Sequence, residues 1–252
     1  MASVRFVAIG DSFTEGVGDE LPDGTVRGWA DLVAQGWAAS RGEGIEYANL
    51  AIRGKLVWPI VREQLERALA LRPTHLSFNG GGNDMLRPRT SISHIADAFS
   101  HVLRRCDEEG VRLLLLSGAN PSAQLPLSRV IQRRGDLMSA AVVQRMQGRD
   151  DVVRALNWPD AELSLPPYWS EDRLHMNARG HHRVAARVLD ALGETVPDRW
   201  WSLPELPEAV RLQRGEYFRD HLGPWVRRRL TGTSSGDGRE PKFASWFEVA
   251  PA

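Results

Sequence analysis

Val4-Arg5-Phe6-Val7-Ala8-Ile9-Gly10-Asp11-Ser12-Phe13-Thr14-Glu15-Gly16 sets how the rest of this chain reads. Val4 to Ile9 is a short apolar, β-branched run of the kind that forms a buried strand. The small polar residues after it read as a turn at the strand's carboxyl end. In open α/β sheets that end is where ligands bind. A serine placed there, with glycines nearby that let backbone approach a substrate, is a candidate nucleophile. The same residues also fit a plain strand-to-helix turn with Ser12 as the helix N-cap. On this stretch alone both readings stand.

Working outward, apolar runs and helical spacings alternate. Gly28 to Ala39 has Trp29, Leu32, Val33 and Trp37 near one face, as an amphipathic helix requires. Ile45 to Ala51 gives a second strand, and Pro59 opens a helix with Ile60, Val61, Leu65 and Leu69 at apolar positions. His75 to Phe78 is a third strand that runs into Asn79-Gly80-Gly81-Gly82-Asn83-Asp84. A helix over 93–109 is stopped by Gly110, and Leu113 to Leu116 is an apolar strand of the doubly buried kind. The signal is weak over 121–134; a helix is expected over 135–147 and a fifth strand over 152–156. A long loop with Trp158, Tyr168 and Trp169 follows. Asn177 then caps a helix carrying His181, Val184, Ala185, Val188 and Leu192. Strands alternating with helices predict βαβ units with right-handed crossovers and a parallel sheet between two helical layers over residues 1–195.

Residues 196–252 differ in character. Pro197, Pro204 and Pro207 interrupt the chain around Trp200 and Trp201. An amphipathic helix is expected next, with Leu206, Val210, Phe218, Leu222, Trp225 and Val226 apolar, ending in Arg227-Arg228-Arg229. It would pack on the domain or on a second copy of the chain, giving a homo-oligomer. Thr231 to Gly238 reads as a flexible linker.

The composition narrows the function classes. At 252 residues, with 25% charged and 42% hydrophobic residues and a formal net charge of +0, the chain can bury a full core. Its charge does not point to a nucleic-acid partner. The single cysteine, Cys106, lies in an amphipathic pattern and reads as core, and no Cys/His spacing resembles a metal site. No apolar run is long enough to cross a bilayer. No basic, apolar and cleavage regions precede the first strand. A cytoplasmic location is the expectation.

Four separated pieces fall on one edge of such a sheet: Ser12 after the first strand, Gly54 after the second, Asn83 after the third, and Asp172-Arg173-Leu174-His175 after the fifth. A serine hydroxyl needs a base, for which His175 is the candidate, and the base needs an orienter, which Asp172 can reach. Backbone N–H groups of Ser12 and Gly54 and the Asn83 amide would stabilise an oxyanion. Singly, Gly54 also reads as a strand terminator, Asn83-Asp84 as a helix cap and His175 as a structural histidine. Asp11 reads as a brace of the serine loop, and His181 and His182 as packing or surface residues.

Gly10-Asp11-Ser12-Phe13, the stretch from Asn49 to Gly54, Gly81-Gly82-Asn83-Asp84 and Asp172-Arg173-Leu174-His175 resemble, in order, the four signature blocks of the SGNH (GDSL) hydrolases. Phe13 stands where the motif has leucine. The resemblance implies a flavodoxin-like three-layer α/β/α fold with a five-stranded parallel sheet. It also implies serine esterase chemistry without a cofactor: Ser12 as nucleophile, His175 as base, Asp172 as orienter, and Ser12, Gly54 and Asn83 as the oxyanion hole. A small-molecule ester, short-acyl or acetyl, is the expected substrate; Trp158, Tyr168 and Trp169, close to the base in sequence, read equally as walls of the acyl or alcohol pocket and as core residues. The same site also suits an O-acyltransferase, a carbohydrate deacetylase or a thioesterase. A flavodoxin-like nucleotide or phosphate-binding module is the alternative of another class. Asp11 and Glu15 beside the turn and the lack of G-x-G-x-x-G weigh against it.

Overall fold

The computed structural model describes residues 3–202, 214–224, 227, 231 and 233–251. Its centre is a sheet of order β5-β4-β3-β1-β2-β6. The strands are β1 (Arg5–Ile9), β2 (Ile45–Asn49), β3 (His75–Phe78), β4 (Arg112–Ser117), β5 (Val153–Leu156) and β6 (Phe243–Val249). The first five pair in parallel, with Val7 opposite Ala48 on one side and Leu76 on the other. All five therefore deliver their carboxyl ends to one edge.

Alternation along β1 divides the core. Phe6 and Ala8 face one helical layer, where α2 (Trp29–Arg41) and α8 (Ala178–Leu192) bury Trp29, Trp37, Val184 and Leu189. Val7 and Ile9 face the other layer. It contains α3 (Val57–Ile60), which runs through a π segment (Val61–Leu65) into α4 (Glu66–Ala70). It also contains α6 (Ile92–Glu108) and α7 (Ser128–Arg145), with Ile95, Phe99, Cys106 and Val142 buried. Leu113 and Leu115 of β4 join this second layer while Leu114 and Leu116 join the first. That is the two-face burial expected of a central parallel strand. Two one-turn helices, α1 (Ser12–Glu15) and α5 (Gly82–Met85), sit directly on the carboxyl edge.

The tail corrects the expected sheet. Among the described residues it has six strands rather than five, and the sixth is antiparallel: Val249 lies opposite Ile45 and Phe243 opposite Asn49, with a register shift between Tyr47 and Asn49. The sheet thus draws on both sides of the division placed at residue 195. Of the stretch read as a flexible linker, residues 235–238 form turns, with Ser234 N–H donating to Asp237 Oδ2 at 2.7 Å and Gly236 N–H to Ser234 Oγ at 3.1 Å. Gly236 packs so closely on the Arg53 carbonyl that a Cβ there would lie 2.1 Å from it. Of the expected amphipathic helix, Leu206, Val210, Trp225 and Val226 lie outside the described residues. The described part is α9 (Arg214–Tyr217) followed by a π turn (Phe218–Leu222). Helix α7 begins at Ser128, seven residues before the sequence signal places it. Among the described residues no helix is long and apolar enough to cross a membrane.

Candidate active site

The residues after β1 turn at once into α1, and the N-cap is Asp11 rather than Ser12: its Oδ1 accepts from Phe13 N–H at 3.1 Å. Ser12 is therefore the first helical residue. The helix ends after one turn at Gly16, whose φ of 103° is open to glycine. A Cβ at Gly10 would lie 2.4 Å from Thr14 Oγ1, so the glycine before the aspartate is what lets α1 fold back on the strand end.

Ser12 Oγ lies 3.0 Å from His175 Nε2, across 163 residues of sequence. His175 Nδ1 lies 2.5 Å from Asp172 Oδ2. The carboxylate fixes the tautomer with Nδ1–H, which leaves Nε2 to accept from the serine hydroxyl. Asp172 reaches its own histidine because the intervening chain makes a tight turn, with Arg173 at φ 60°. Asp172 Oδ1 accepts the N–H groups of Leu174 and His175, each at 2.9 Å, and the Ser170 hydroxyl at 2.7 Å. Burial would raise the Asp172 carboxyl. The His175 charge, its ring N–H and those backbone donors outweigh burial and hold the group well below the usual carboxylate range. Burial would lower His175; the Asp172 charge and hydrogen bond, with a contribution from Asp11, turn the net shift upward.

Asn83 sits on α5, whose N-cap Gly81 has φ 89°. Its Nδ2 lies 3.1 Å from the Lys55 carbonyl and 3.3 Å from Asp11 Oδ2. The amide is thus within the same few ångströms as the serine turn and the loop carrying Gly54. Gly54, at φ 75°, is covered by the tail: a Cβ there would lie 2.2 Å from Ser234 Oγ. Gly54 is not part of the lining of the small pocket around the serine. That pocket, about 100 Å³, is walled by Ser12, Asn83, His175, Trp158, Trp169 and Met138, among others. Trp158 and Trp169 are therefore at the site. Tyr168 is not: its hydroxyl donates to Glu162 Oε1 at 2.8 Å and its ring belongs to the core beside α8. Through Met85, Leu86, Leu174 and His175 the small pocket adjoins a larger apolar groove of about 420 Å³.

Several supporting residues carried no signal in the sequence. Gln64, in the π segment, is buried and clamps Gly10: its Oε1 accepts the Gly10 N–H at 2.8 Å and its Nε2 donates to the Gly10 carbonyl at 3.0 Å. A π turn inside a helix is a recurrent mark of functional sites, but nothing in the sequence distinguishes it from regular helix. Glu15 accepts from Arg53 N–H at 2.6 Å and from Arg53 Nε at 2.8 Å. This pair locks the serine helix to the loop before Gly54. Lys242, at the foot of β6, donates to the carbonyls of Glu15 and Val26, at 2.8 and 2.9 Å, and to Asp31 Oδ2 at 2.6 Å. Buried His181 accepts the Trp29 N–H at Nδ1, 3.1 Å, and so caps α2 from a distant helix; burial pushes its pKa down to about 4. Among the described residues, no group of three or more His, Cys, Asp or Glu side chains is arranged to hold a metal ion.

Residues 8–183 match the model of the GDSL-like Lipase/Acylhydrolase family. Similar solved structures include a catalytic mutant of Axe2, an acetylxylan esterase from Geobacillus stearothermophilus. It has TM-score 0.63 and 19% identity, covering 77% of this chain and 96% of that one. TesA aligns with TM-score 0.60 and 20% identity over 75% of this chain and 97% of its own. The psychrotrophic esterase EstA from Pseudoalteromonas sp., inhibited by monoethylphosphonate, aligns with TM-score 0.59 and 16% identity over 75% and 96%. At these identities the likeness is one of fold. No curated protein matches the sequence significantly.

Proposed function

This chain belongs to the GDSL-like Lipase/Acylhydrolase family and is a carboxylic ester hydrolase, and we propose that it works through Ser12, His175 and Asp172 as nucleophile, base and orienter. The observation that carries the reading is the unbroken line from Ser12 Oγ through the imidazole to the Asp172 carboxylate, at 3.0 and 2.5 Å. As Ser12 Oγ bonds to the acyl carbon, its proton passes to His175 Nε2. The imidazolium so formed is stabilised by Asp172. The carbonyl oxygen becomes an oxyanion next to the Asn83 amide and the Ser12 backbone N–H, the two donors that line the pocket. The ester C–O bond then breaks, with the Nε2 proton going to the departing alcohol oxygen. A water molecule repeats the sequence on the acyl-enzyme: its proton goes to Nε2, its oxygen to the acyl carbon, and Ser12 Oγ leaves reprotonated.

The pocket of about 100 Å³ at Ser12, closed by Trp158, Trp169 and Met138, favours acetyl and other short acyl groups. Hydrolysis of p-nitrophenyl acetate, butyrate and octanoate by the wild type and Ser12→Ala, with EDTA present, tests both parts of the reading. Acetate and butyrate should outrun octanoate, chelation should change nothing, and the alanine variant should lose on the order of 10⁴-fold or more in kcat. Turnover surviving in Ser12→Ala would mean a different nucleophile, and octanoate as best substrate would remove the short-acyl assignment.

A further inference from the structure

The site opens onto two spaces of unequal size, and His175 is on the wall of both. Ser12, Asn83 and Asp11 face only the small pocket, while Asp172 faces only the large groove. The chemistry fixes which half of an ester goes where. The acyl carbon must sit on Ser12 Oγ with its oxygen near the Asn83 amide. The alcohol oxygen must lie at His175 Nε2 to take the proton, so its substituent leads away on the imidazole side. We propose that the groove beside His175 receives the alcohol half of the ester, and that the substrates are short-acyl esters of bulky apolar alcohols. This rests on the assignment of Ser12 and His175 made above.

The groove's lining supports an apolar occupant. Leu86, Leu125, Leu127, Val130 and Ile131 form one wall and Tyr217 stands on the other. Leu127 is 76% exposed and Val130 55%, an arrangement that costs solvation unless something apolar covers it. A sugar alcohol would need polar partners, and of the groove's charged side chains Arg134 and Asp220 are already paired while His221 lies against the Tyr217 ring. Arg134 donates to the carbonyls of Met85, Arg87 and Thr90, at 2.6, 3.1 and 2.8 Å. Asp220 is paired with Arg219 at 2.7 Å. The far wall also lies beyond the part of the chain matched to the family. Tyr217 is held there by the Arg173 guanidinium, 4.3 Å from its ring centroid, and Arg173 is the residue between Asp172 and Leu174 in the turn of the base. The tail and the catalytic turn thus build the groove together.

Octyl acetate and ethyl octanoate are isomers that exchange the long chain between the two halves of the ester, so equal hydrophobicity leaves only placement to be read. With p-nitrophenyl acetate as the common reference, octyl acetate should exceed ethyl octanoate in kcat/KM by more than about tenfold, the selectivity that one methylene in a fitted apolar subsite delivers. A preference for ethyl octanoate, or parity, overturns the proposal, as does a peracetylated pentose outrunning octyl acetate. If p-nitrophenyl acetate is also inert, it is the short-ester reading of the site that fails rather than the placement of the alcohol, and turnover surviving in Ser12→Ala is what removes the serine assignment. Val130→Asp puts a charge on the groove rim. It should lower the octyl acetate to ethyl octanoate ratio by about tenfold or more, mainly through a raised KM for octyl acetate. A ratio unmoved in a folded variant would place the alcohol elsewhere and overturn the assignment.

Discussion

Asp11 performs two tasks that its burial sets against each other. One oxygen caps α1 and the other faces the Asn83 amide, yet the residue is only 5% exposed. Burial dominates and lifts its pKa from 3.8 to about 6, against the Phe13 N–H and the His175 charge. A carboxyl with a raised folded-state pKa binds its proton more tightly when folded. Its stabilising contribution is therefore full below about pH 4 and is lost as the pH rises through about 6. At 1.36 kcal/mol per pKa unit the ionised group costs roughly 3 kcal/mol in neutral solution. Asp11→Asn keeps a good N-cap residue and removes that cost, so its gain in thermal midpoint should be larger at pH 8 than at pH 5. It also removes a charge that holds protons on His175, so the acid limb of the kcat/KM profile should move to lower pH. A limb displaced upward would contradict the electrostatic role given to Asp11. At this scale the sequence was partly legible. Ser12, Asp172 and His175 stood out because their chemistry is tied to recognisable short blocks. Gln64, Glu15 and Lys242 did not, because each works through a partner far along the chain, 54 residues away for the Gln64 contact and 227 for that of Lys242 to Glu15.

Among the elements, α7 shows how a residue that weakens a helix can shape the site. Gly135 lies in its middle, where alanine is favoured by up to about 1 kcal/mol. A Cβ there, however, would lie 1.9 Å from the Trp158 indole, whose Nε1–H is held by Asp136 Oδ1 at 2.8 Å. Gly135→Ala should therefore destabilise, by about 1–3 kcal/mol as overpacked cores do, and should alter acyl-chain selectivity by moving a wall of the small pocket. Denaturant unfolding and the p-nitrophenyl ester series measure the two effects, and a stabilised variant would show that the helix is free of the indole. The same glycine helped to hide the first half of α7 in the sequence, together with Leu127 and Val130, which point outward rather than into the core. The inner strands β1, β3 and β4 were readable as apolar runs because they are buried on both faces, and the edge strand β5 by its alternation. Strand β6 was not, since as an edge strand it is largely exposed. Its aromatic content after Pro241, with Phe243, Trp246 and Phe247, is the signal that could have marked it.

Across the whole molecule, the tail is a structural part of the edge that carries the proposed site. Lys242 anchors β6 beneath the serine turn, and its partner Asp31 is itself buried. Lys242→Met leaves that carboxylate without its cation. Removing one member of such a pair costs about 3–5 kcal/mol, and the variant should lose both stability and kcat. Adding Asp31→Asn should restore part of the stability, because the uncompensated charge is then gone; a double variant no more stable than the single one would show that the ion pair is not what matters. The three-layer architecture was legible because alternating strand and helix patterns admit few topologies. The closing of its edge by residues 243–249 was not, because antiparallel pairing at such distance leaves no local pattern. That distance also has a consequence in time. Ordering a loop of this length adds only slowly to the entropy of closure, about 0.6 kcal/mol per doubling, but pairings so remote in sequence are slow to form. The clamp from Lys242 to Glu15 is among the most remote contacts in the molecule, and it bears on the helix that begins with Ser12. On refolding, the secondary-structure signal should therefore return before ester hydrolysis does, because the helix carrying Ser12 is clamped only once Lys242 has docked; simultaneous recovery of the two would show that the clamp does not come last.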